Sequence, residues 1–174
     1  MSPLRSDQNI VLIGMPGVGK STVGVLLAKT TSRNFIDTDV YIQARHGQRL
    51  QEVIDAQGSR EFLTLEESEI LTLNCRAFVI ATGGSVVYSD RAMRHLKSSG
   101  VVVHLDLAFD LLEKRLTNLA ERGVVIASDQ TLRQLYDERQ PLYRRWADAT
   151  VDCAGRNHEQ VVDEILDALD GFPG

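Results

Sequence analysis

Gly14-Met15-Pro16-Gly17-Val18-Gly19-Lys20-Ser21 decides how this chain is read. It is a full match to the phosphate-loop pattern G-x-x-x-x-G-K-S, it follows the apolar run Ile10–Ile13, and it leads into a helical pattern. A triphosphate needs many hydrogen-bond donors in a small concave space. Glycines let the backbone turn tightly enough for successive N–H groups to point inward, and a helix starting near Lys20 adds its positive end. On this reading Gly14, Gly17, Val18 and Gly19 cradle phosphate oxygens, and Lys20 reaches the β and γ phosphates. The hydroxyl of Ser21 is a ligand for Mg²⁺, and Thr22 touches the α phosphate. The bland counter-reading, a glycine-rich turn with no ligand, does not account for strand, helix and Lys-Ser all being in place.

Working outward, the runs Ile10–Ile13, Asn34–Asp37, Phe78–Ala81, Val101–Leu105 and Ala149–Asp152 are short, apolar and not strictly alternating. Such runs are strands covered on both faces, and the longer amphipathic stretches between them are helical crossovers, so the pattern predicts an α/β fold. Val23, Leu26 and Leu27 mark one helical face, and Val161, Val162, Ile165, Leu166 and Leu169 mark another. Ser59 is the expected cap of a helix running toward Asn74, and Ser128 with Asp129 that of the helix carrying Leu132, Leu135 and Tyr136. With 174 residues and no repeat or linker, a single domain over 1–174 is expected.

Composition narrows the function classes. A net charge of −5 argues against a general nucleic-acid binder, and no apolar run approaches the roughly 18 residues of a membrane span. The first nine residues lack a secretory h-region, so a soluble cytoplasmic protein with a small-molecule partner is expected. Cys75 and Cys153 read as free thiols, and His46, His95, His104 and His158 have no metal-site spacing. Ile36-Asp37-Thr38-Asp39, at the carboxyl end of the second strand, puts two carboxylates where ligands of open α/β sheets gather. In an extended segment residues two apart share a face, so both look toward the phosphates. One carboxylate can hold a Mg²⁺ water while the other orients a hydroxyl and accepts its proton. Turn-forming and helix-capping duty is the plainer account of the same pair.

At this point the residues resemble the shikimate kinase family. The resemblance rests on GMPGVGKST at 14–22, DTD at 37–39, GSREF at 58–62, ATGGS at 81–85, a lid candidate with Arg122, and ERQPLYRR at 138–145, and it spans nearly the whole chain. It implies a P-loop kinase three-layer α/β/α fold with a five-stranded parallel sheet of the nucleoside-monophosphate-kinase type. It also implies a monomeric, ATP- and Mg²⁺-dependent kinase of amino-acid biosynthesis, with an acceptor-binding helical segment at about 40–75 and a lid at about 119–128. Asp37 resembles the Mg²⁺-water ligand and Asp39 the carboxylate nearest the transferred proton. Gly83 and Gly84 resemble the loop that admits the acceptor, and Arg139 the guanidinium that grips its carboxylate. Arg122 falls at the family's lid arginine, while Arg115 and Arg156 resemble the groups that line the adenine.

The departures lie on the acceptor and lid side. Leu63 stands where the family carries a second carboxylate-gripping arginine, Ser85 replaces the third glycine of a triplet, and the lid reads Arg122-Gly123-Val124. Shikimate is therefore the family's default acceptor, with a smaller hydroxy or amino acid such as homoserine as the rival. A nucleoside-monophosphate kinase needs a base-reading pocket, for which Arg139 and Asp39 are ill suited. A non-catalytic ATP-binding module is opposed by Lys20, Asp39 and Arg122, and a GTPase by the lack of an Asn-Lys-x-Asp segment.

Overall fold

Ile10, Val11, Leu12 and Ile13 are wholly buried, and the strand they form with Asn9 is the centre of the molecule. A computed structural model describes residues 6–120 and 130–170. In it β1 (Asn9–Ile13), β2 (Asn34–Asp37), β3 (Phe78–Ala81), β4 (Gly100–Asp106) and β5 (Ala149–Asp152) form one sheet in the order β2-β3-β1-β4-β5. Every pairing is parallel. Apolar strands buried on both faces are what such a sheet requires, and the five runs read from the sequence are these strands to within a residue at either end.

The helices are α1 (Lys20–Thr30), α2 (Thr38–His46), α3 (Leu50–Gln57), α4 (Ser59–Thr72), α5 (Asp90–Ser99), α6 (Phe109–Ala120), α7 (Leu132–Trp146) and α8 (His158–Asp170). The β1-to-β2 and β3-to-β4 connections cross the sheet in opposite directions. Right-handed crossovers therefore put α1 and α5 on opposite faces, giving three layers. Val23 and Leu27 of α1 and Val161, Val162, Ile165 and Leu169 of α8 are buried in the core. Asn9 is the one polar residue in the central strand, and it is satisfied. Its Nδ2 donates to Cys75 O (2.8 Å) and Ser99 Oγ (3.1 Å), and its Oδ1 accepts from Phe78 N (3.0 Å).

The caps differ from expectation. Gly58, without a side-chain bond, precedes α4, whose first residue is Ser59. Thr131 caps α7, accepting from Gln134 N at 3.2 Å. Ser128 and Asp129 lie outside the described residues. Cys75 and Cys153 are free thiols, as expected. Among the described residues no helix is long and apolar enough to cross a membrane.

His104 is a packing residue of the core. It lies in β4, fully buried, stacked on Tyr143 with ring centroids 5.1 Å apart, and neither ring nitrogen has a hydrogen-bond partner among the described residues. Burial holds its pKa down at about 4; Asp106 opposes this, while the charges of Arg144 and Lys20 add to it. The neutral imidazole is the folded form. Its contribution is complete above the unfolded value of about 6.5 and is lost as pH falls toward 4, by at most about 3 kcal/mol. His104→Phe should keep the ring stack and flatten the fall of melting temperature between pH 6.5 and 4, which thermal scans of both proteins will show.

Candidate active site

The loop between β1 and α1 turns through Gly14, Gly17 and Gly19 at φ +146°, +83° and +110°. Gly19 is the N-cap of α1 and provides no side-chain bond, so the first-turn N–H groups are left for a ligand. Val18 is buried, while Ser21 and Thr22 are exposed at the helix start. Lys20 folds back over the loop, donating to Gly14 O (2.7 Å) and Met15 O (2.9 Å). An ammonium has three protons, so one remains for a phosphate. Burial pushes the Lys20 pKa down to about 8; Asp39 and Asp37 work against this, and Arg139 reinforces it.

The carboxylates of the second strand meet this loop by a different route from the one expected. β2 ends at Asp37 and α2 begins at Thr38, so Asp39 stands in the first turn of a helix and not on an extended segment. Asp37 is the N-cap, its Oδ1 accepting from Asp39 N (3.0 Å) and Val40 N (3.2 Å). Its Oδ2 accepts from Ser21 Oγ at 2.5 Å. The capping reading of Asp37 therefore holds for one oxygen, while the other meets Ser21 of the phosphate loop. Asp39 keeps a buried Oδ1 with no partner among the described residues. Its pKa is raised by burial and by Asp37, against the pull of Lys20.

Gly83 and Gly84 close the site from β3. A Cβ on Gly83 would stand 2.5 Å from Glu66 Oε1 and 2.7 Å from Asp39 Oδ1, so no larger residue fits without displacing both carboxylates. The Gly83 N–H donates to Thr38 Oγ1 (3.1 Å), which anchors the turn to α2. At Gly84 the same test meets Arg139 Nη1 and Pro16 Cδ, each at 2.9 Å. Arg139, on α7, donates from Nε to Tyr88 Oη (3.2 Å) and lies over the Tyr88 ring. The phosphate loop, Asp39 and Arg139 thus converge at the carboxyl ends of β1, β2 and β3.

Sequence reading passed over Glu66 as a site residue. It is 2% exposed, accepts from Ser85 Oγ at 2.7 Å, and leaves Oε1 unpartnered among the described residues. Burial pushes its pKa up to about 7, helped by Asp39 and opposed by Ser85, Arg139 and Lys20. The only signal for it was an acidic residue one turn beyond Phe62 on α4, which an amphipathic helix also explains. Arg115 donates to Val18 O (3.2 Å) and so borders the phosphate loop. The Arg156 guanidinium donates to Glu164 Oε1 (3.0 Å) and Asp152 O (3.0 Å), and His158 stands over Gly19, with Nε2 3.4 Å from a Cβ placed there. Leu63 faces a cavity beside Glu66 and Ser85. Arg122 and the expected lid beyond Ala120 lie outside the described residues.

Comparison with known proteins agrees with this geometry. The family model described as shikimate kinase matches residues 16–170. A shikimate kinase of Thiobacillus denitrificans is 35% identical over 174 residues, covering 98% of this chain and 95% of its own. One from Caldanaerobacter subterraneus subsp. tengcongensis is 33% identical over 164 residues, covering 92% and 95%. The structure of shikimate kinase from Acinetobacter baumannii in complex with shikimate superposes with a TM-score of 0.82 at 30% identity, covering 92% of each chain. With sequence and backbone in agreement over nearly its whole length, the chain belongs to the shikimate kinase family, a family of ATP-dependent kinases.

Proposed function

We propose that this protein transfers the γ-phosphoryl group of ATP to a hydroxyl of shikimate. The observation that carries the reading is the meeting of the Lys20 loop with Asp37 and Asp39 at one sheet edge, beside an arginine fit for a carboxylate. The relatives named above are shikimate kinases, so the amino-acid acceptor suggested by Leu63 is not favoured. Mg²⁺ neutralises charge on the bridging phosphates in such transfers. Ser21 Oγ and Asp37 Oδ2, a hydroxyl and a carboxylate 2.5 Å apart, fit it. Two protein oxygens suit an ion that arrives on its nucleotide and keeps several waters.

The chain's own residues do the rest. Backbone donors from Gly14 to Gly19 and the Lys20 ammonium hold the phosphates, and Arg115 borders the side where the base lies. Arg139 takes the acceptor carboxylate as a planar fork. Gly83 and Gly84 leave room for the acceptor against Asp39, whose free Oδ1 orients the hydroxyl and accepts its proton as the phosphoryl group moves. A raised pKa makes Asp39 a better base than an ordinary aspartate. Incubation with Mg·ATP and shikimate should yield ADP and a shikimate phosphomonoester in equal amounts. Turnover of a nucleoside monophosphate in preference to shikimate would overturn the proposal.

A further inference from the structure

Glu66, which meets Gly83, also lines a cavity of about 200 Å³, together with Arg60 and Leu63 of α4 and with Ser85 and Tyr88. Most of its polar groups are already engaged. Ser85 donates to Glu66 (2.7 Å), and the neighbouring Glu67 accepts from Ser89 Oγ (2.5 Å) and Arg91 Nη1 (2.8 Å). The Tyr88 hydroxyl donates to Glu138 Oε1 (2.5 Å) while accepting from Arg139. Arg60 differs. Only its backbone carbonyl is engaged, by Thr64 Oγ1 (3.1 Å), and its exposed guanidinium has no hydrogen bond or ion pair with any described residue.

Arg60 and Leu63 are three apart on α4 and so share a face of the helix. We propose that Arg60 is a specificity-determining residue: its guanidinium reaches across Leu63 to hold the acceptor's carboxylate together with Arg139, while Leu63 packs against the acceptor's carbon frame. This rests on the proposed reading that the acceptor is a hydroxylated carboxylate. The cavity does not repel such an anion as its carboxyl groups suggest. Glu67 is neutralised by Arg91, and buried Glu66, with its pKa near 7, carries little charge below that pH. A long side chain with a rigid fork can leave water for a planar anion at the cost of a few rotamers, and the apolar surface at 63 gives its methylenes something to lie on.

Steady-state kinetics test this with Arg60→Ala, Arg60→Lys and the double variant Arg60→Ala/Leu63→Arg. Arg60→Ala should raise KM for shikimate about ten-fold, with kcat and the KM for Mg·ATP within about two-fold of wild type. Arg60→Lys should fall between, since an ammonium is a point charge and not a fork. The double variant, which returns a guanidinium to the same face one turn later, should recover most of the loss. An unchanged shikimate KM in Arg60→Ala overturns the inference. So does a rise that accompanies a lowered melting temperature and is not recovered by the double variant, which would assign Arg60 to the stability of α4. Should the wild-type protein turn over a different hydroxylated carboxylate, the function proposed above fails while the same KM comparison with that acceptor still decides the role of Arg60. An acceptor without a carboxylate overturns both.

Discussion

Asp39→Asn should lower kcat by about 10²- to 10⁴-fold, the usual range for loss of a positioned proton acceptor. The change keeps size and shape but removes the basic oxygen that Asp39 presents, buried and unpartnered among the described residues, beside Gly83. It should leave the fold intact, because the cap of α2 is supplied by Asp37 and the Asp39 backbone N–H is what that cap binds. Nucleotide affinity should change little, since Ser21 is bonded to Asp37 and not to Asp39. Rapid-quench measurement of phosphoryl transfer with both substrates saturating separates these effects. With its pKa raised by burial, Asp39 should set the acid limb of the wild-type rate profile above the pH at which an ordinary aspartate titrates. That limb should disappear in the variant. A kcat within ten-fold of wild type would show that the proton goes elsewhere.

Lys20→Ala should cost about 10²- to 10³-fold in kcat, comparable to removing one preorganised donor from a developing charge. Here the group does two jobs. Its ammonium ties down the carbonyls of Gly14 and Met15, and it is the one buried lysine or arginine among the described residues. Lys20→Met keeps much of the volume and removes the charge, so a loss shared by both variants belongs to electrostatics and one confined to Ala belongs to the loop's shape. Because the pKa is lowered to about 8, the wild-type rate should fall as pH rises through 8, well before a solvated lysine would deprotonate. Near-normal turnover in Lys20→Met would remove Lys20 from the catalytic apparatus.

How much could be read in advance follows from which interactions are local. The central strands β1, β3 and β4 were legible because a strand buried on both faces must be apolar at consecutive positions, whereas the edge strands β2 and β5 are only partly buried. The phosphate loop was legible because its chemistry is carried by contiguous residues. Helix starts were less so. Ser59 and Gly58 are adjacent, and which of them lies outside the helix depends on the Gly58 backbone at φ +95°, a conformation imposed by how α3 turns into α4. Asp39 was placed on the right surface for the wrong reason, since the cap at Asp37 and not an extended strand directs it. The bond from Arg156 to Glu164 was not legible either, because only the folded chain brings that partner within 3.0 Å. Glu66 escaped notice because a buried carboxyl and a solvated one look alike in sequence, and only packing against Gly83 and Ser85 tells them apart.

At Gly84 the nucleotide half and the acceptor half of the molecule are joined by a seam with no slack, because Pro16 and Arg139 press on the same missing methyl from two sides. A side chain at position 84 would displace the phosphate loop and the α7 guanidinium in one move, whereas Leu63 borders a cavity from α4.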